Sequence, residues 1–333
     1  MTYRAMRLAK PGAPLEEVRL EVPVPGAGEI LVAVSTCGVC RTDLHIADGE
    51  LAAPRLPLVP GHEIVGRVAA LGAGASRLRV GERVGVAWLA GACGHCAYCA
   101  SRRENLCESA VFTGLDRAGG FAEYVLADER YALRLPDRYD DLHAAPLLCA
   151  GLIGYRAYTM AGEARRIGLY GFGAAAHVIA QVAVAQGREV FAFTRPGDER
   201  SQGFARKLGC AWAGSSAERA PAPLDAALLF APVGALVPVA LAATARGGTV
   251  VCAGIHMSEI PAFPYATLWG ERTLRSVANL TRADGEAFLQ LASEIPIATA
   301  PVAYRLEQAN RALDDLRRGA FDGAAVLTVG ETR

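Results

Sequence analysis

Residues 93–107, CGHCAYCASRRENLC, hold four cysteines and a histidine. The spacing of Cys93, Cys96, Cys99 and Cys107 is C-x2-C-x2-C-x7-C, and short loops of this kind bring four thiolates to one tetrahedral centre, with Zn–S distances of about 2.3 Å. Four sulfurs complete the coordination shell. A metal held this way has no position left for water or substrate, so its part is structural and His95 is a bystander. Disulfides and an iron–sulfur cluster are the other uses of such a set. Three quieter stretches also carry metal-capable side chains: CGVCRTDLH (37–45), PGHEIVG (60–66) and PLLCAG (146–151). Catalytic zinc takes three protein ligands and keeps an open position, and its ligands commonly come from separate elements. Spacing alone does not select a triple here. Taken singly, Cys149 reads as a small buried hydrophobe, His62 as a satisfied core imidazole and Cys40 as a loop thiol.

A second chemistry is written at residues 171–176, GFGAAA, which follow an apolar strand pattern and open an alanine-rich helix. Gly171, Gly173 and Ala176 match G-x-G-x-x-G/A: a tight turn, a backbone that can approach a pyrophosphate, and a small residue for helix–strand packing. Ala174 and Ala175 would begin the helix whose N-terminus faces the phosphates. Ala253 and Gly254, closing the later strand VVCAG, join them as cofactor-binding candidates. An NAD site expects Asp or Glu at the tip of the second strand, accepting from the ribose 2′-hydroxyl. FAFTRPGDER has Thr194 there, then Arg195, with Arg200 nearby. Losing a carboxylate and gaining a guanidinium favours a 2′-phosphate, hence NADP, with NAD the alternative and a solvated loop arginine the plainer reading of Arg195.

These side chains need two kinds of scaffold. Residues 1–145 carry short β-type runs (GEILVAVS, EIVGRVAAL, ERVGVAWL) broken by Gly and Pro, which implies an irregular strand-rich unit. From about residue 150 strands alternate with helices: RRIGLYGFG, the alanine-rich helix, EVFAFTR, a helix through FARKLG, LDAALLFAP, another helix ending at RGG, then GGTVVCAG. That rhythm implies a doubly wound parallel sheet. The tail LEQANRALDDLRRGAFDGAAVLTVG reads as an amphipathic helix and a terminal strand able to pack back on the first unit. At 333 residues two domains are expected, and 52% hydrophobic with 20% charged residues gives core enough to argue against disorder. Thirty-four basic residues balance thirty-four acidic ones without a basic block, so neither nucleic acid nor an anionic membrane surface is indicated as a partner. Residues 226–245 are uncharged and long enough to span a bilayer, but Pro232, Gly234 and Pro238 interrupt them and a buried strand followed by a helix is the better reading. The N-terminus lacks a signal-peptide pattern, and nine cysteines then suit a reducing, cytoplasmic setting, with Cys210 and Cys252 read as packing.

The segments CGVCRTDLH, LPLVPGHEIVG, GERVGVAWLAGACGHCAYC, PLLCAGLIGYRA, GFGAAA and LTRAD occur in an order, and over essentially the whole chain, that resembles the zinc-dependent medium-chain alcohol dehydrogenases. The resemblance implies an α/β protein: a GroES-like irregular β-rich catalytic domain (1–147 and 290–333) and a Rossmann doubly wound parallel-sheet domain (148–289). It implies two zinc ions per chain. Cys40, His62 and Cys149 would hold the catalytic one, with Glu63 behind it, Asp43 orienting His62, and Cys37 no ligand; the cysteine cluster would hold the other. Thr42 and His45 match the relay that carries the alcohol proton to solvent, although Thr42 could serve only as a helix cap and His45 only as an exposed polar residue. Arg41 and Arg282 match residues that touch the cofactor pyrophosphate, and Trp88 matches a wall of the substrate pocket. The implied reaction is reversible hydride transfer between an alcohol and NAD(P), giving an aldehyde or ketone, in a homodimer or homotetramer. Two departures bear on this. HIADGELAAPRLP lacks the family's frequent aromatics, which leaves the pocket shape open, and GFGAAA has alanine where glycine is usual. A reductase of aldehydes or quinones that uses NADPH without a catalytic metal, and a cofactor-binding protein without turnover, are the competing readings.

Overall fold

The computed structural model describes residues 1–329 and divides into two compact units. One comprises Met1–Cys149, Asn279–Glu294 and the residues from Ala298 onward; the other comprises Ala150–Ala278 with Ile295–Ile297. Residues 279–289 therefore group with the first unit, whereas the sequence reading drew that boundary at 289/290. The reason is local: the helix Arg282–Glu294 buries Phe288 and Leu289 and sets Gly285 against Leu133 of the first unit.

The first unit is built on a seven-stranded sheet in the order Pro301–Arg305, Ala324–Thr328, Glu29–Val39, Glu63–Leu71, Arg83–Val86 and Ala132–Arg134, with Tyr124–Asp128 also paired to Glu29–Val39. The long strand Glu29–Val39 is rich in Val, Ile and Thr, which suit a pleated, buried surface. Two register shifts, at Leu31/Val32 and Val34/Thr36, let it leave Tyr124–Asp128 at one end and take up Ala324–Thr328 at the other. The C-terminal tail thus closes the sheet, through the helix Ala309–Arg318 and the strand that follows it.

Three consequences of this frame position chemistry. Glu29–Val39 ends at Cys40, which caps the helix Arg41–Asp48: its Sγ accepts from the Thr42 N–H, and the Asp43 carboxylate returns to the Cys40 N–H at 2.9 Å. The turn before Glu63–Leu71 contains Gly61 at φ +99°, a conformation that favours glycine, and its bare face lies against the Phe121 ring. Backbone bonds from Gly119, Gly120 and Phe121 to Val59, Gly61 and Pro60, at 2.7–3.0 Å, clamp that turn and so place His62. Finally, the 3-10 helix Ala145–Leu148, buried throughout, delivers Cys149.

The second unit is a six-stranded sheet, all parallel, in the order Trp212–Ser215, Glu189–Thr194, Arg166–Tyr170, Leu224–Leu229, Thr244–Cys252, Thr273–Ser276. Numbered along the chain this is 3-2-1-4-5-6, the order of dinucleotide-binding sheets. The apolar run 226–245 resolves into the strand Leu224–Leu229 and the eight-residue helix Leu236–Ala243. No helix among the described residues is long and apolar enough to cross a membrane. The helix expected to end at RGG stops at Ala243 instead. Arg246–Gly248 belong to the next strand, where a register shift and Gly247 at φ +76° form a bulge.

Phe121 is fully buried beneath the Gly61 turn. Phe121→Ala should lower stability by about 3–5 kcal/mol, read as a fall in the denaturant midpoint of the first unit's transition, followed by the fluorescence of Trp88.

Candidate metal centres and dinucleotide site

Two groups of donor atoms converge, each with all its ligand atoms within 4.8 Å of one another: Cys93, Cys96, Cys99 and Cys107, and Cys40, His62, Glu63 and Cys149. In the first, Gly94 at φ +80° turns the chain, Cys96 caps the short helix Ala97–Ala100, and the 3-10 helix Glu104–Leu106 brings Cys107 back. The N–H groups of Cys93, Cys96 and Cys99 donate to the sulfurs of Cys107, Cys93 and Cys96 at 3.4–3.5 Å, which favours thiolate. Cys93 is brought down to about 6, chiefly by the backbone N–H groups of His95 and Cys96. Burial and the neighbouring sulfurs push Cys99 up to about 12. The Cys93 and Cys99 sulfurs stand 3.9 Å apart, far beyond the roughly 2.05 Å of a disulfide. All nine cysteines are free, which removes the disulfide reading. His95 points away from the set, its Nδ1 on the Cys93 carbonyl at 2.9 Å.

In the second group His62 and Glu63 are buried and Cys40 and Cys149 half-buried. Cys40 Sγ lies 3.1 Å from His62 Nε2 and 3.9 Å from Cys149 Sγ, a spacing close to the edge of about 3.8 Å that two sulfurs span on a tetrahedral zinc. His62 Nδ1 is within ion-pair distance of Asp43 Oδ1, 3.3 Å, though outside hydrogen-bond geometry, and that oxygen accepts from the Gly61 N–H at 3.1 Å. Glu63 Oε2 is buried without a hydrogen-bond partner. Burial opposes charge on the imidazole, but the Cys40 sulfur and Asp43 outweigh it and hold His62 well above the ordinary histidine range. A hydrogen bond from Cys149, then His62, draws Cys40 well down; the same bond, with burial, drives Cys149 well up. Burial likewise drives Glu63 well up and raises Asp43. Two sulfurs, an imidazole and a carboxylate share one desolvated point and are quieted only by shared protons. A soft divalent cation fits this donor set. Cys37 is not part of it: its thiol is buried, donates to the Gly38 carbonyl, and lies against Gly61.

Thr42 is buried beside Cys40, Arg41 is exposed, and the His45 ring meets Glu50 at 2.5 Å. Trp88 sets its ring edge-on to His62, with centroids 4.9 Å apart, and is itself stacked on Phe112 at 5.1 Å. Sequence reasoning missed Phe112 and Glu50, since neither belongs to a motif. Arg282 lies over the Tyr131 ring at 5.1 Å, with its backbone N–H and Nε on the Glu104 carboxylate at 3.0 and 3.4 Å. This residue is engaged by the cysteine lobe.

In the second unit Gly171, at φ +88°, packs against Ala231, and a side chain at Gly173 would meet nothing within 4 Å. No side chain caps the helix Ala174–Ala185, and the space a side chain at Gly173 would occupy is open, so this helix start fits a pyrophosphate. The N–H groups of Ala253 and Gly254 turn back to the Leu229 carbonyl at 2.8 and 3.0 Å. At the second strand's tip the Thr194 hydroxyl accepts from Gln202 Nε2 at 3.1 Å, Arg195 is exposed and Arg200 lies in the first turn of the following helix, Glu199–Lys207. Asp198, the acid of that loop, is used as the helix cap, accepting from the Ser201 N–H at 3.0 Å.

The alcohol dehydrogenase GroES-like domain family matches residues 26–137. A protein described as a probable alcohol dehydrogenase, AdhA, of Mycobacterium tuberculosis is 48% identical over 340 residues, covering 98% of both chains. The chain belongs to the zinc-dependent medium-chain alcohol dehydrogenases. Two solved structures carry the same fold. The thermostable alcohol dehydrogenase of Pyrobaculum aerophilum, bound to cobalt and zinc, superposes with a TM-score of 0.89 at 25% identity, over 98% of this chain and 100% of that one. Acetophenone reductase from Geotrichum candidum, in complex with NAD, gives 0.88 at 26% identity, over 98% and 97%. The GroES-like and Rossmann architecture expected from the medium-chain dehydrogenase motifs is the one observed.

Two outcomes follow from the geometry. Gly38 sits directly opposite Glu63 in the ladder, and any β-carbon there would run into the Glu63 side chain. Gly38→Ala should therefore cost about 1–3 kcal/mol and lower Tm, and adding Glu63→Ala should recover part of the loss, as thermal unfolding of both variants would show. In the metal-free protein at pH 7.5, Cys93 should be the first of its four cysteines to react with iodoacetamide and Cys99 among the last, as read by peptide mass spectrometry.

Proposed function

We propose that this dehydrogenase oxidises a small-molecule alcohol to an aldehyde or ketone, reversibly, with NADP as its preferred hydride carrier and two zinc ions per chain. Cys40, His62 and Cys149 hold the catalytic ion, with Glu63 beside it; Cys93, Cys96, Cys99 and Cys107 hold the structural one. The observation that carries the reading is the convergence of Cys40, His62, Glu63 and Cys149 within 4.8 Å, with His62 and Glu63 buried. When bound, zinc supplies a Lewis acid that eases loss of the alcohol proton and polarises the carbonyl in reverse, and the nicotinamide takes or gives the hydride.

The chain's own side chains do the rest. Asp43, fixed by the Cys40 and Gly61 N–H groups, holds the His62 ring so that Nε2 faces the two sulfurs. The Thr42 hydroxyl accepts the proton leaving the alcohol, and His45 passes it towards water. Trp88, propped by Phe112, walls the site with apolar surface and keeps water from the reacting carbon. In the second unit Gly171, Gly173, Ala174 and Ala175 take the pyrophosphate, and Ala253 and Gly254 line the adjacent strand end. Thr194, Arg195 and Arg200 receive the 2′-phosphate, a preference supported by the guanidinium at the strand tip and by the use of Asp198 as a cap. Its nine free cysteines suit the cytoplasm, and assembly as a homodimer or homotetramer is in keeping with the family.

Metal analysis should return two zinc ions per chain. Cys149→Ala should abolish alcohol oxidation, retain one zinc and keep the circular dichroism of the parent; retained turnover would remove Cys149 from the ligand set. Arg195→Ala should lower kcat/KM with NADP about tenfold or more while leaving kcat/KM with NAD unchanged. A strong preference of the parent for NAD would overturn the cofactor assignment.

A further inference from the structure

Cys149 closes the long N-terminal stretch of the first unit, and Ala150 begins the other unit. Within the first unit its backbone is therefore held from one side, by the helical turn Asp141–Ala144 and the 3-10 helix Ala145–Leu148. Asp140 caps that turn, accepting from the His143 N–H at 2.8 Å, and Leu147 and Leu148 are fully buried. Side chains from elsewhere in the unit grip the segment. The Thr36 hydroxyl donates to the Asp141 carbonyl at 2.8 Å, and the Thr299 hydroxyl to the His143 carbonyl at 3.0 Å. From the strand Arg83–Val86, Arg83 Nε donates to the Asp141 carboxylate at 2.7 Å and Nη1 to the Pro136 carbonyl at 3.2 Å.

The same strand carries a notch. A β-carbon on Gly85 would come within 2.7 Å of Leu148 Cδ2, 2.9 Å of Leu148 Cδ1 and 3.0 Å of Leu135 Cδ2. Leu148, the residue before Cys149, is thus seated in space that a side chain at Gly85 would fill. Gly85 is an ordinary strand residue paired with Val65, so an added methyl acts there by contact and not through backbone strain. Val65 lies two residues beyond Glu63, and Thr36 lies four residues before Cys40. The segment that ends in Cys149 is therefore referenced to the strands that bring the other donors.

We propose that Arg83 and Gly85 are positioning residues for the catalytic metal: through Asp141 and Leu148 they set where the Cys149 sulfur stands relative to Cys40 and His62. The inference rests on the ligand role proposed for Cys149 and names what fixes that ligand. Neither residue belongs to the donor set. Close-packed interiors pass displacements on rather than absorb them. A methyl at Gly85 pushes Leu148 from its seat, and the sulfur of the next residue moves with it. Loss of the Arg83 pair, whose side chains are only 15% and 22% exposed, frees the same segment from its other end. Metal–ligand distances tolerate only about 0.2 Å, so a shift too small to disturb the sheet weakens the hold on the ion. None of these contacts involves residues 93–107, and the ion of the cysteine lobe is unaffected.

The test is zinc release from the fully loaded chain to an excess of the chromogenic chelator pyridylazoresorcinol, followed by absorbance. Cys149→Ala, which lacks the catalytic ion, shows which phase of the parental trace belongs to that ion. Gly85→Ala and Arg83→Met should each speed the catalytic phase roughly tenfold and leave the lobe's phase at the parental rate. Adding Leu148→Val to Gly85→Ala withdraws the colliding carbon and should return the catalytic phase towards the parental rate; Arg83→Lys should do the same relative to Arg83→Met. Equal acceleration of both phases with a lower Tm marks a general loosening of the unit and overturns the proposal. So does a catalytic phase at the parental rate in the single variants, or a double variant as fast as Gly85→Ala. Should Gly85→Ala not fold, Arg83→Met and its rescue by Arg83→Lys decide the matter alone. Both phases persisting in Cys149→Ala is a different failure, since it removes Cys149 from the ligand set and the ligand reading falls with it.

Discussion

Desolvated thiols beside an imidazole and carboxylates are the constraint around which the first unit is arranged. Removing such groups from water is costly unless opposite charge or hydrogen bonds compensate. The fold meets this demand at the backbone. Cys40 is both a donor and a helix cap, so the N–H groups of the first helical turn sit at its sulfur. Asp43 closes the same cap and then reaches the Gly61 turn, tying two ligand-bearing segments to one carboxylate. Glu63 folds over Gly38, opposite it in the ladder, into space that a side chain on Gly38 would occupy. The same few contacts define helix start, strand start and donor geometry.

The two centres differ in how they are assembled. The cysteine lobe draws its four sulfurs from one short stretch, through a glycine turn, a one-turn helix and a 3-10 turn, and Arg282 on a distant helix ties it down through Glu104. The other set is drawn from a strand end, a clamped turn and a 3-10 helix terminus, so its geometry depends on the sheet being complete. Local chain geometry suffices for the first, whereas the second is a tertiary product.

That contrast also governs what was legible in the sequence. The four-cysteine spacing could be read directly, because contiguous spacing encodes local geometry. The alternation of strand and helix after residue 150, with GFGAAA at the first turn, likewise led to the doubly wound parallel sheet that is observed, since right-handed crossovers leave few alternatives. Cys40, His62 and Cys149 could not be picked out by pattern and were named only through family resemblance, since nothing in a linear chain marks which distant residues will meet. Asp43 was named the same way, but its double duty as cap and tether was not visible. Phe112 and Glu50 went unseen for a related reason: one is placed by a stacking contact across strands, the other by a reversal after a helix. The RGG segment was misassigned because glycine marks a bulge as readily as a helix end.

The order of the donors along the chain has a bearing on biosynthesis. Cys107 emerges from the ribosome well before Cys149, so a nascent polypeptide displays a finished four-sulfur nest while the other pocket still lacks a sulfur. The four-sulfur lobe is thus complete along the chain before the other pocket, whose supporting sheet also takes in the later strand Ala324–Thr328.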